Sequence, residues 1–444
     1  MGRMTPQRVL IMSFACAIAL GSILLSLPAA TENPGGLPFI DSLFTATSAT
    51  CVTGLVVRDT APTFSPFGEA VILLLIQAGG LGIMTFSVLF AVLLGRKIGL
   101  TQSFIIQSTL DGKGVIGFRR LALYILGIVL ASEAFGALLL FLRWSGTLGL
   151  TFWETVWTSW FHSVSAFCNA GFSLFSDSLM SFRADPAVNL IMMGLIILGG
   201  LGFIVIVDLL GLFYKKGPAR ALSLQSKLAL IVSGALIIIG AAAIFFLEKD
   251  HLMKAMTWPE RIWGSFFTSI AARTAGFNTL PTGQFSVSTL IFIVFLMFIG
   301  ASPGSTGGGI KTVTFAVLGL SVYSMYMKRK RVQCFNRSIP LKVIREAFVI
   351  FFIALFWIFG AMLLLTHLEG RFGTLSRVMF EVVSAFGTVG FSAGITGSLS
   401  SASKAVLILT MFVGRVGPLT LALAVAHRER REDYLLPSEN MMVG

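Results

Sequence analysis

The sequence predicts an all-α polytopic membrane protein in which four tandem helix–pore-helix–helix repeats surround one pseudo-fourfold pore. Of the 444 residues, only 12% are charged and 55% are hydrophobic, so too few charged side chains remain to cover a water-soluble surface. The apolar runs are long and lack the alternation of β-barrel strands. Between them lie shorter amphipathic segments, which recur in step along the chain.

Eight apolar runs are long enough to cross a hydrocarbon core of about 30 Å. They are 9–28, 69–95, 119–142, 186–214, 226–248, 285–327, 345–366 and 402–427. The first run follows Arg3 and Arg8, as the core of a signal peptide would, and that alternative stays open. We interpret it as a transmembrane helix, because Val9–Leu27 is longer than the usual apolar core of a signal peptide.

Four shorter segments lie between the members of successive pairs of runs, and their 13 to 16 residues make about 20–24 Å of helix. That is too short to cross a membrane, which predicts pore helices that enter and turn back. The predicted repeats are 1–95 with pore helix 38–50, 119–214 with pore helix 152–167, 226–327 with pore helix 259–272, and 345–427 with pore helix 374–387, followed by a tail over 428–444.

A glycine follows each short segment, at Gly54, Gly171, Gly276 and Gly390. With these glycines in register, alanine stands five residues earlier in all four copies, and serine stands six earlier in all but the third, which has Ile270. A leucine or a phenylalanine comes directly after each glycine. Matches at the same point between paired spans indicate an internal repeat.

Lysine and arginine are distributed unequally between the two sides of the predicted membrane. Twenty-one lie in loops that share a side with the termini, and ten lie on the opposite side. By the positive-inside rule both termini are cytoplasmic, in a bacterial-type plasma membrane, and the pore helices enter from outside. The net charge of +13 then reflects topology and contact with anionic membrane lipids rather than with nucleic acid. Acids on the outer side, Asp59 and Asp177 among them, would attract cations.

The segments that follow the pore helices predict a cation selectivity filter. The carboxyl ends of four helices would bring partial negative charge to the middle of the membrane. Glycine lets successive backbone carbonyls point inwards, where they replace the hydration shell of a monovalent cation. The alternative is a set of turns that are merely packed by aromatic side chains. The predicted filter residues are Cys51, Val52, Thr53, Gly54, Cys168, Asn169, Ala170, Gly171, Arg273, Thr274, Ala275, Gly276, Gly387, Thr388, Val389 and Gly390.

The last span of the third repeat contains a glycine-rich loop over residues 300–311, which cannot hold a helix in hydrocarbon. It predicts a movable gate beneath the filter. A phosphate-binding loop is disfavoured, because Ile310 breaks the motif spacing and the segment lies between apolar runs. A helix kinked at Pro303 for packing is a second alternative. The predicted gate residues are Gly300, Ala301, Ser302, Pro303, Gly304, Ser305, Thr306, Gly307, Gly308, Gly309, Lys311 and Arg415.

Arg415 is level with this loop, because Gly300 and Gly414 each follow their filter glycine by 24 residues. A charge at mid-membrane is expensive, and is by default functional. We expect Arg415 to bond carbonyls of the loop and to oppose the passage of cations. A structural pair with Asp208 or Glu133 is the alternative.

Other residues near the filter have smaller predicted roles. His162 and Glu381, each nine residues before a filter glycine, are expected to hydrogen-bond behind the filter. Arg273 is expected to brace the filter against an acid. The segments 79–82 and 199–202 are expected to pack helices closely. The four cysteines and four histidines are scattered and form no metal or catalytic motif, so we predict that the chain is not an enzyme.

The segment Thr388-Val389-Gly390-Phe391 resembles the potassium-channel signature, and one chain with four degenerate copies resembles the Trk/Ktr/HKT potassium-transporter superfamily. Since only one span precedes the first pore helix, the chain is most similar to the membrane subunit of the Ktr branch. The resemblance covers nearly the whole sequence. It implies uptake of K+ through the filter, with Na+ as an open question, and a gate in the third repeat with a basic residue beside it.

The resemblance also implies partners. The membrane subunits form a homodimer above a cytoplasmic ring of KtrA-like RCK subunits, which bind ATP, ADP or NAD, while the chain itself is expected to hold no covalent cofactor. The basic loops 96–120, 215–227 and 328–345 are the expected docking surface for this ring. The end of the tail, 434–444, suits a dimer contact.

A secondary cation transporter, coupled to Na+ or H+, is the alternative function. Its binding site would lie at the midplane, between broken helices. Unpaired carboxylates near the pathway would favour such coupling, and Asp208 and Glu133 are the two acids within the predicted spans.

Overall fold

The computed structural model describes residues 6–82, 118–214, 222–370, 375–417 and 420, and this part of the chain is mostly helical. A single two-stranded antiparallel hairpin in it pairs β1 (Gln333–Cys334) with β2 (Arg337–Ser338). The helices, in chain order, are α1 (Pro6–Ser26), α2 (Phe39–Thr50), α3 (Thr60–Thr63), α4 (Pro66–Gly80), α5 (Phe118–Trp144), α6 (Phe152–Phe167), α7 (Pro186–Leu201), α8 (Phe203–Tyr214), α9 (Leu224–Glu248), α10 (Trp258–Ala271), α11 (Val287–Phe298), α12 (Thr312–Tyr326), α13 (Leu341–Leu368), α14 (Leu375–Gly387) and α15 (Ser401–Val416).

Four of these helices, α1, α5, α9 and α13, are long and apolar enough to cross a membrane. Large apolar side chains such as Leu20, Ile238 and Phe356 are exposed on them, as expected of surfaces that contact lipid tails. Shorter apolar helices, α4, α11 and α12, lie between them along the chain. The chain is therefore a multi-pass membrane protein, and the predicted all-α class is confirmed.

The four short helices α2, α6, α10 and α14 lie within one residue of the predicted pore helices. Helices α6 and α10 begin with capping boxes, in which Thr151 pairs with Glu154 and Thr257 with Glu260. Their first turns begin with exposed aromatic residues and contain a glutamate, whereas the last turns of all four helices are buried in the centre of the molecule. The core of the protein therefore surrounds the points where these helices end.

The run 186–214, which we predicted as one span, is broken. Helix α7 ends at Leu201 and α8 begins at Phe203, and the two axes differ by 99°. Gly202, between them, has φ +88°, a value that favours glycine. The break accommodates the glycine-rich loop, because the backbone N–H of Phe203 donates to the carbonyl of Gly304 at 3.0 Å.

Several predicted features lie wholly or partly outside the described residues. These are Arg3, the second half of the run 69–95, most of the loops 96–120 and 215–227, the end of the run 402–427 and the tail 428–444. The third basic loop, 328–345, is described, and it contains the β1–β2 hairpin. Its lysines and arginines are exposed, as a docking surface requires.

Candidate functional site

Four glycine segments, defined here as residues 51–54, 168–171, 273–276 and 387–390, meet where the short helices end. In three of them a backbone N–H turns back to the last turn of its helix. Thr53 donates to the carbonyl of Ser48 at 2.7 Å, and the equivalent bonds run from Ala170 to Ser165 and from Val389 to Ser384. The segments are thereby held in an extended path, directly after the helix ends.

Serine at the sixth position before the glycine adds a side-chain bond to this arrangement. The hydroxyl of Ser48 accepts from the N–H of Gly54 at 3.1 Å, and that of Ser384 accepts from Gly390 at 3.2 Å. The third segment has Ile270 at this position, and its Gly276 N–H donates to the carbonyl of Ala271 at 3.3 Å instead. The third segment is therefore held differently from the first and the fourth.

The backbone of each segment alternates in the sign of φ. Val52, Asn169, Thr274 and Thr388 have φ between +49° and +80°, and the glycine two residues later has φ between +71° and +96°. The residue between them keeps an ordinary negative φ. Alternation of left-handed and right-handed conformations turns successive carbonyls towards the same side. A side chain at the glycine would be strained at all four positions.

The four glycines form a closed ring, in which each one abuts the next segment. A Cβ atom added to any of them would collide with the carbonyl of the residue before the next glycine. The contacts run from Gly54 to Ala170, from Gly171 to Ala275, from Gly276 to Val389 and from Gly390 to Thr53. We call this arrangement the glycine ring. Its cyclic order places the carbonyls of four segments around one axis.

A vestibule of about 280 Å³ lies on one side of the glycine ring and is lined by all four ring glycines. Asp59 and Asp177 contribute carboxylates to it, and Arg58 contributes one cation. The guanidinium of Arg58 is bound to Asp41 at 3.2 Å, while the other oxygen of Asp41 accepts from the buried Lys404 at 2.6 Å. The vestibule therefore carries more acidic than basic groups, as the sequence predicts for the outer side.

The glycine-rich loop (residues 300–311) lies against the opposite side of the ring. A Cβ on Gly307 would collide with the side chain of Thr274, and one on Gly308 with that of Thr388. The hydroxyl of Thr306 donates to the carbonyl of Phe167, the last residue of α6, at 3.3 Å. The loop thus contacts three of the four places where the short helices end.

The loop is closed at its neck and anchored to α7. The N–H of Gly300 donates to the carbonyl of Ile310 at 2.8 Å, which brings the two ends of the loop together. The N–H groups of Ser302 and Thr306 donate to the carbonyls of Gly200 and Gly199, at 3.0 and 3.3 Å. The segment 199–202, which we predicted to pack helices, is therefore also the support of this loop.

Two cationic side chains bond the loop. The guanidinium of Arg415 donates to the carbonyl of Thr306 and to that of Gly79 at the end of α4. The ammonium of Lys311 donates to the carbonyl of Gly307 at 2.6 Å. Within the described chain Arg415 thus bonds carbonyls, as predicted, rather than Asp208 or Glu133. The side chain of Glu133 instead accepts from Gln77 at 3.2 Å.

Other predicted residues lie behind the ring, with one correction. His162 contacts the carbonyl of Thr158 and the hydroxyl of Ser173, and Glu381 accepts from Ser392 and Thr396, so both hydrogen-bond there as expected. Arg273 does not brace the filter against an acid in the described chain. Its guanidinium donates to the carbonyl of Ser233 on α9 at 3.3 Å.

The residues of the site supply oxygen ligands from the backbone rather than from side chains. No group of three histidine, cysteine, aspartate or glutamate side chains in the described residues is placed to hold a metal ion. The four cysteines are unpaired, and Cys51 and Cys168 are buried beside the ring. Sequence reasoning missed the Asp41–Lys404 pair, whose members are 363 residues apart. Their opposite charges at the outer ends of two helices were the available signal.

A helical membrane protein whose short helices converge on a ring of carbonyls belongs to the class of membrane transport proteins for cations. This chain belongs to the TrkH family of cation transport proteins, which it matches over residues 15–434. It is thus a cation transporter and not an enzyme. The predicted resemblance to the Trk/Ktr/HKT superfamily is confirmed.

Two proteins of Bacillus subtilis are similar along nearly their whole length. The chain is 40% identical over 431 residues to Ktr system potassium uptake protein B, an alignment that covers 96% of this chain and 94% of that protein. It is 38% identical over 445 residues to Ktr system potassium uptake protein D, an alignment that covers 99% of this chain and 98% of that protein.

The crystal structure of the potassium transporter TrkH from Vibrio parahaemolyticus has the same fold. Its TM-score is 0.72 at 19% sequence identity, and the match covers 94% of this chain and 84% of that one.

Proposed function

We propose that the chain carries K+ into the cell through the glycine ring, which acts as a selectivity filter. The observation that carries this proposal is the closed cycle of glycine-to-carbonyl contacts among four segments with alternating φ. Such backbone can surround a dehydrated monovalent cation with oxygens without a full carboxylate in the membrane interior. The names of both Bacillus subtilis relatives, potassium uptake proteins, support K+ as the ion.

Four repeats would explain why the same features recur four times. In this proposal each repeat contributes one short helix, and the partial negative charge at its carboxyl end faces the ion. The first repeat covers residues 1–95, the second 119–214, the third 226–327 and the fourth 345–427. The filter residues are then 51–54, 168–171, 273–276 and 387–390.

The glycine-rich loop would be the gate. It lies directly against the ring, and a loop in this position obstructs the path of an ion. Arg415 and Lys311 add positive charge there, which opposes a cation. In this proposal the gate opens when the loop moves away from the ring, which requires the bonds of Arg415 and Lys311 to its carbonyls to break.

A cytoplasmic partner would control this gate. We infer that both termini and the exposed basic loop 328–345 face the cytoplasm, following the positive-inside rule. A ring of RCK subunits that bind ATP, ADP or NAD, below a homodimer of this chain, fits that surface. The word "system" in the names of both relatives supports the existence of partner components.

A coupled secondary transporter is the second candidate, and the break between α7 and α8 favours it. Broken helices at membrane depth form the binding sites of many such transporters. The buried Glu133 supplies a carboxyl group near that depth. Against this candidate, the break at Gly202 is occupied by the tip of the glycine-rich loop.

Flux measurements with the purified chain in liposomes test the proposal. We expect K+ flux down a gradient without any counter-ion gradient, and loss of selectivity over Na+ in Gly390→Ser, because the new side chain meets the carbonyl of Thr53. Gly360→Ser is the matched control, since nothing lies within 4 Å of a Cβ there. Unchanged selectivity in Gly390→Ser would overturn the filter, and flux that requires a second ion gradient would favour the coupled transporter.

A further inference from the structure

Arg273 is the one full charge within the four glycine segments. It follows Ala272, the C-cap residue of α10, and stands three residues before Gly276. The other segments have Cys51, Cys168 and Gly387 at this position, which are neutral or nearly so. A charge at one of four equivalent places makes the surroundings of the ring electrostatically unequal.

The guanidinium of Arg273 is buried and has few partners. The residue is 5% exposed, and among the described residues its side chain makes one hydrogen bond, to the carbonyl of Ser233. Its Nε atom has no hydrogen-bond partner within the same part of the chain. In the described part of the chain no carboxylate forms an ion pair with it. Among the described residues, the positive charge is therefore compensated by the carbonyl of Ser233 and by the carboxyl end of α10, without a carboxylate.

Packing alone does not account for a charge in this place. A buried ion without a counter-ion costs several kcal/mol, and an apolar side chain of similar size often packs as well or better. One hydrogen bond to a carbonyl repays little of that cost. At this position arginine therefore differs from a long apolar residue mainly by the electric field of its charge.

That field acts on the glycine ring. The carboxyl end of α10 carries roughly half a negative charge, which attracts a cation, and the adjacent guanidinium opposes this attraction. Three residues of chain span at most about 11 Å, which limits the distance between the Cα atoms of Arg273 and Gly276. At a distance on the order of 12 Å and an effective dielectric constant of about 20, one unit charge changes the affinity for a monovalent cation about tenfold.

We propose that Arg273 limits the affinity of the glycine ring for its cation and thereby speeds the release of the ion towards the loop. This inference rests on the proposed function. The third segment lies against the glycine-rich loop, where Thr274 contacts Gly307, next to the contact of Thr388 with Gly308. A weaker attraction on this side favours exit where the gate lies. Conduction needs binding that is strong enough for entry and weak enough for departure.

Equilibrium binding of K+ to the purified full-length chain tests the inference. We expect Arg273→Met to bind K+ about tenfold more tightly in a calorimetric titration, with a lower KM and a lower maximal rate of K+ uptake in liposomes. Arg273→Lys keeps the charge and is expected to stay within about twofold of the unchanged chain. Arg143→Met, which removes an exposed arginine paired with Asp185, is the matched control and should change neither value.

A purely structural role predicts a different pattern. Arg273→Met would then weaken binding or unfold the chain, and Arg273→Lys would do so as well, because both lose the guanidinium fork. If Arg273→Met does not fold, Arg273→Gln takes its place, since its amide can still donate to Ser233. Equal or weaker K+ binding by a folded neutral variant overturns the inference while the filter stands. Absence of K+ binding by the unchanged chain overturns both.

Discussion

At the scale of single residues, the site depends on three glycines outside the ring, Gly79, Gly199 and Gly414, which pack against the short helices. A Cβ at any of the three would collide with one of the last backbone carbonyls of the short helix that precedes it in the chain. These contacts are Gly79 with Thr50, Gly199 with Phe167, and Gly414 with Phe386. The close approach of these glycines therefore fixes where the carboxyl ends of α2, α6 and α14 lie.

Gly414→Ala is expected to lower the free energy of unfolding by about 1–3 kcal/mol, because α15 must move away from the carbonyl of Phe386. The same movement carries Arg415 out of reach of Thr306. Thermal unfolding in detergent measures the first effect. Gly234→Ala is the control, since its Cβ would meet nothing within 4 Å. An equal change in Tm for both variants would contradict the expectation.

Arg415→Gln is expected to raise K+ flux several-fold in liposomes that lack any cytoplasmic partner. The variant removes a positive charge beside the loop and weakens the bonds to Thr306 and Gly79. Arg415→Lys keeps the charge and should leak less. Flux through Arg415→Gln no higher than through the unchanged chain would argue against a gate at this residue.

Lys404→Met is expected to destabilise the protein by about 3 kcal/mol. It leaves the buried carboxylate of Asp41 with only the half-exposed Arg58 as a partner. The double variant Asp41→Leu, Lys404→Met should recover part of this loss, because no buried charge remains unpaired. Unfolding midpoints of the two variants in the same detergent decide the matter, and a double variant that is less stable than the single one would refute it.

Some residues of the site could be predicted from the sequence and others could not. The alignment of the repeats alone identified the four ring glycines and Arg415, because each lies at a fixed distance along the chain from a repeated feature. The partners of Lys404 and Arg273 depend on which helices are neighbours. That arrangement is decided by packing between distant parts of the chain, and no local pattern encodes it.

At the scale of elements, the capping boxes of α6 and α10 connect stability to pH. The backbone N–H of Thr151, and then its hydroxyl, donate to Glu154 and hold the pKa of this exposed carboxyl below its ordinary value of 4.5. Thr257 and Arg183 lower the pKa of Glu260 in the same way. The stabilisation is complete above the ordinary pKa and is lost as the pH falls through the lowered one.

Glu154→Ala is therefore expected to lower the Tm at pH 7, and the difference from the unchanged chain should shrink steadily below pH 4.5. Thermal scans at a series of pH values provide the measurement. Glu346→Ala, at an exposed position on α13, is the control. A difference in Tm that is independent of pH would exclude the capping carboxylate as its cause.

The break between α7 and α8 shows where element prediction from sequence fails. The residues of 186–214 are apolar apart from Asn189 and Asp208, and hydropathy therefore indicates one span. The composition of this run does not show whether a glycine lies within a straight helix or at its end. Gly202 ends α7 because the loop tip at Pro303 and Gly304, about a hundred residues away, occupies the adjacent space. The short helices were predictable because each is an amphipathic segment between two apolar runs, followed by a glycine.

At the scale of the whole molecule, the proposed binding of K+ at the ring predicts stabilisation of the entire fold, because the four segments of the ring would share one ion. At a K+ concentration 100 times its Kd, the gain is about 2.7 kcal/mol. We expect the Tm to rise with K+ concentration in a choline background, and Gly390→Ser to remove most of that rise. Equal stabilisation by choline alone would contradict a K+-specific site.

The closure of the ring also affects how the protein folds during synthesis. The contact between Gly390 and Thr53 joins the fourth segment to the first, and the first segment leaves the ribosome well before the fourth. At 5–20 residues per second, synthesis of the intervening chain takes roughly 17–67 s. Throughout that interval the first segment lacks the contact between its Thr53 carbonyl and Gly390. A nascent chain interrupted before residue 387 would therefore hold three of the four glycine segments and would lack the contact that closes the ring.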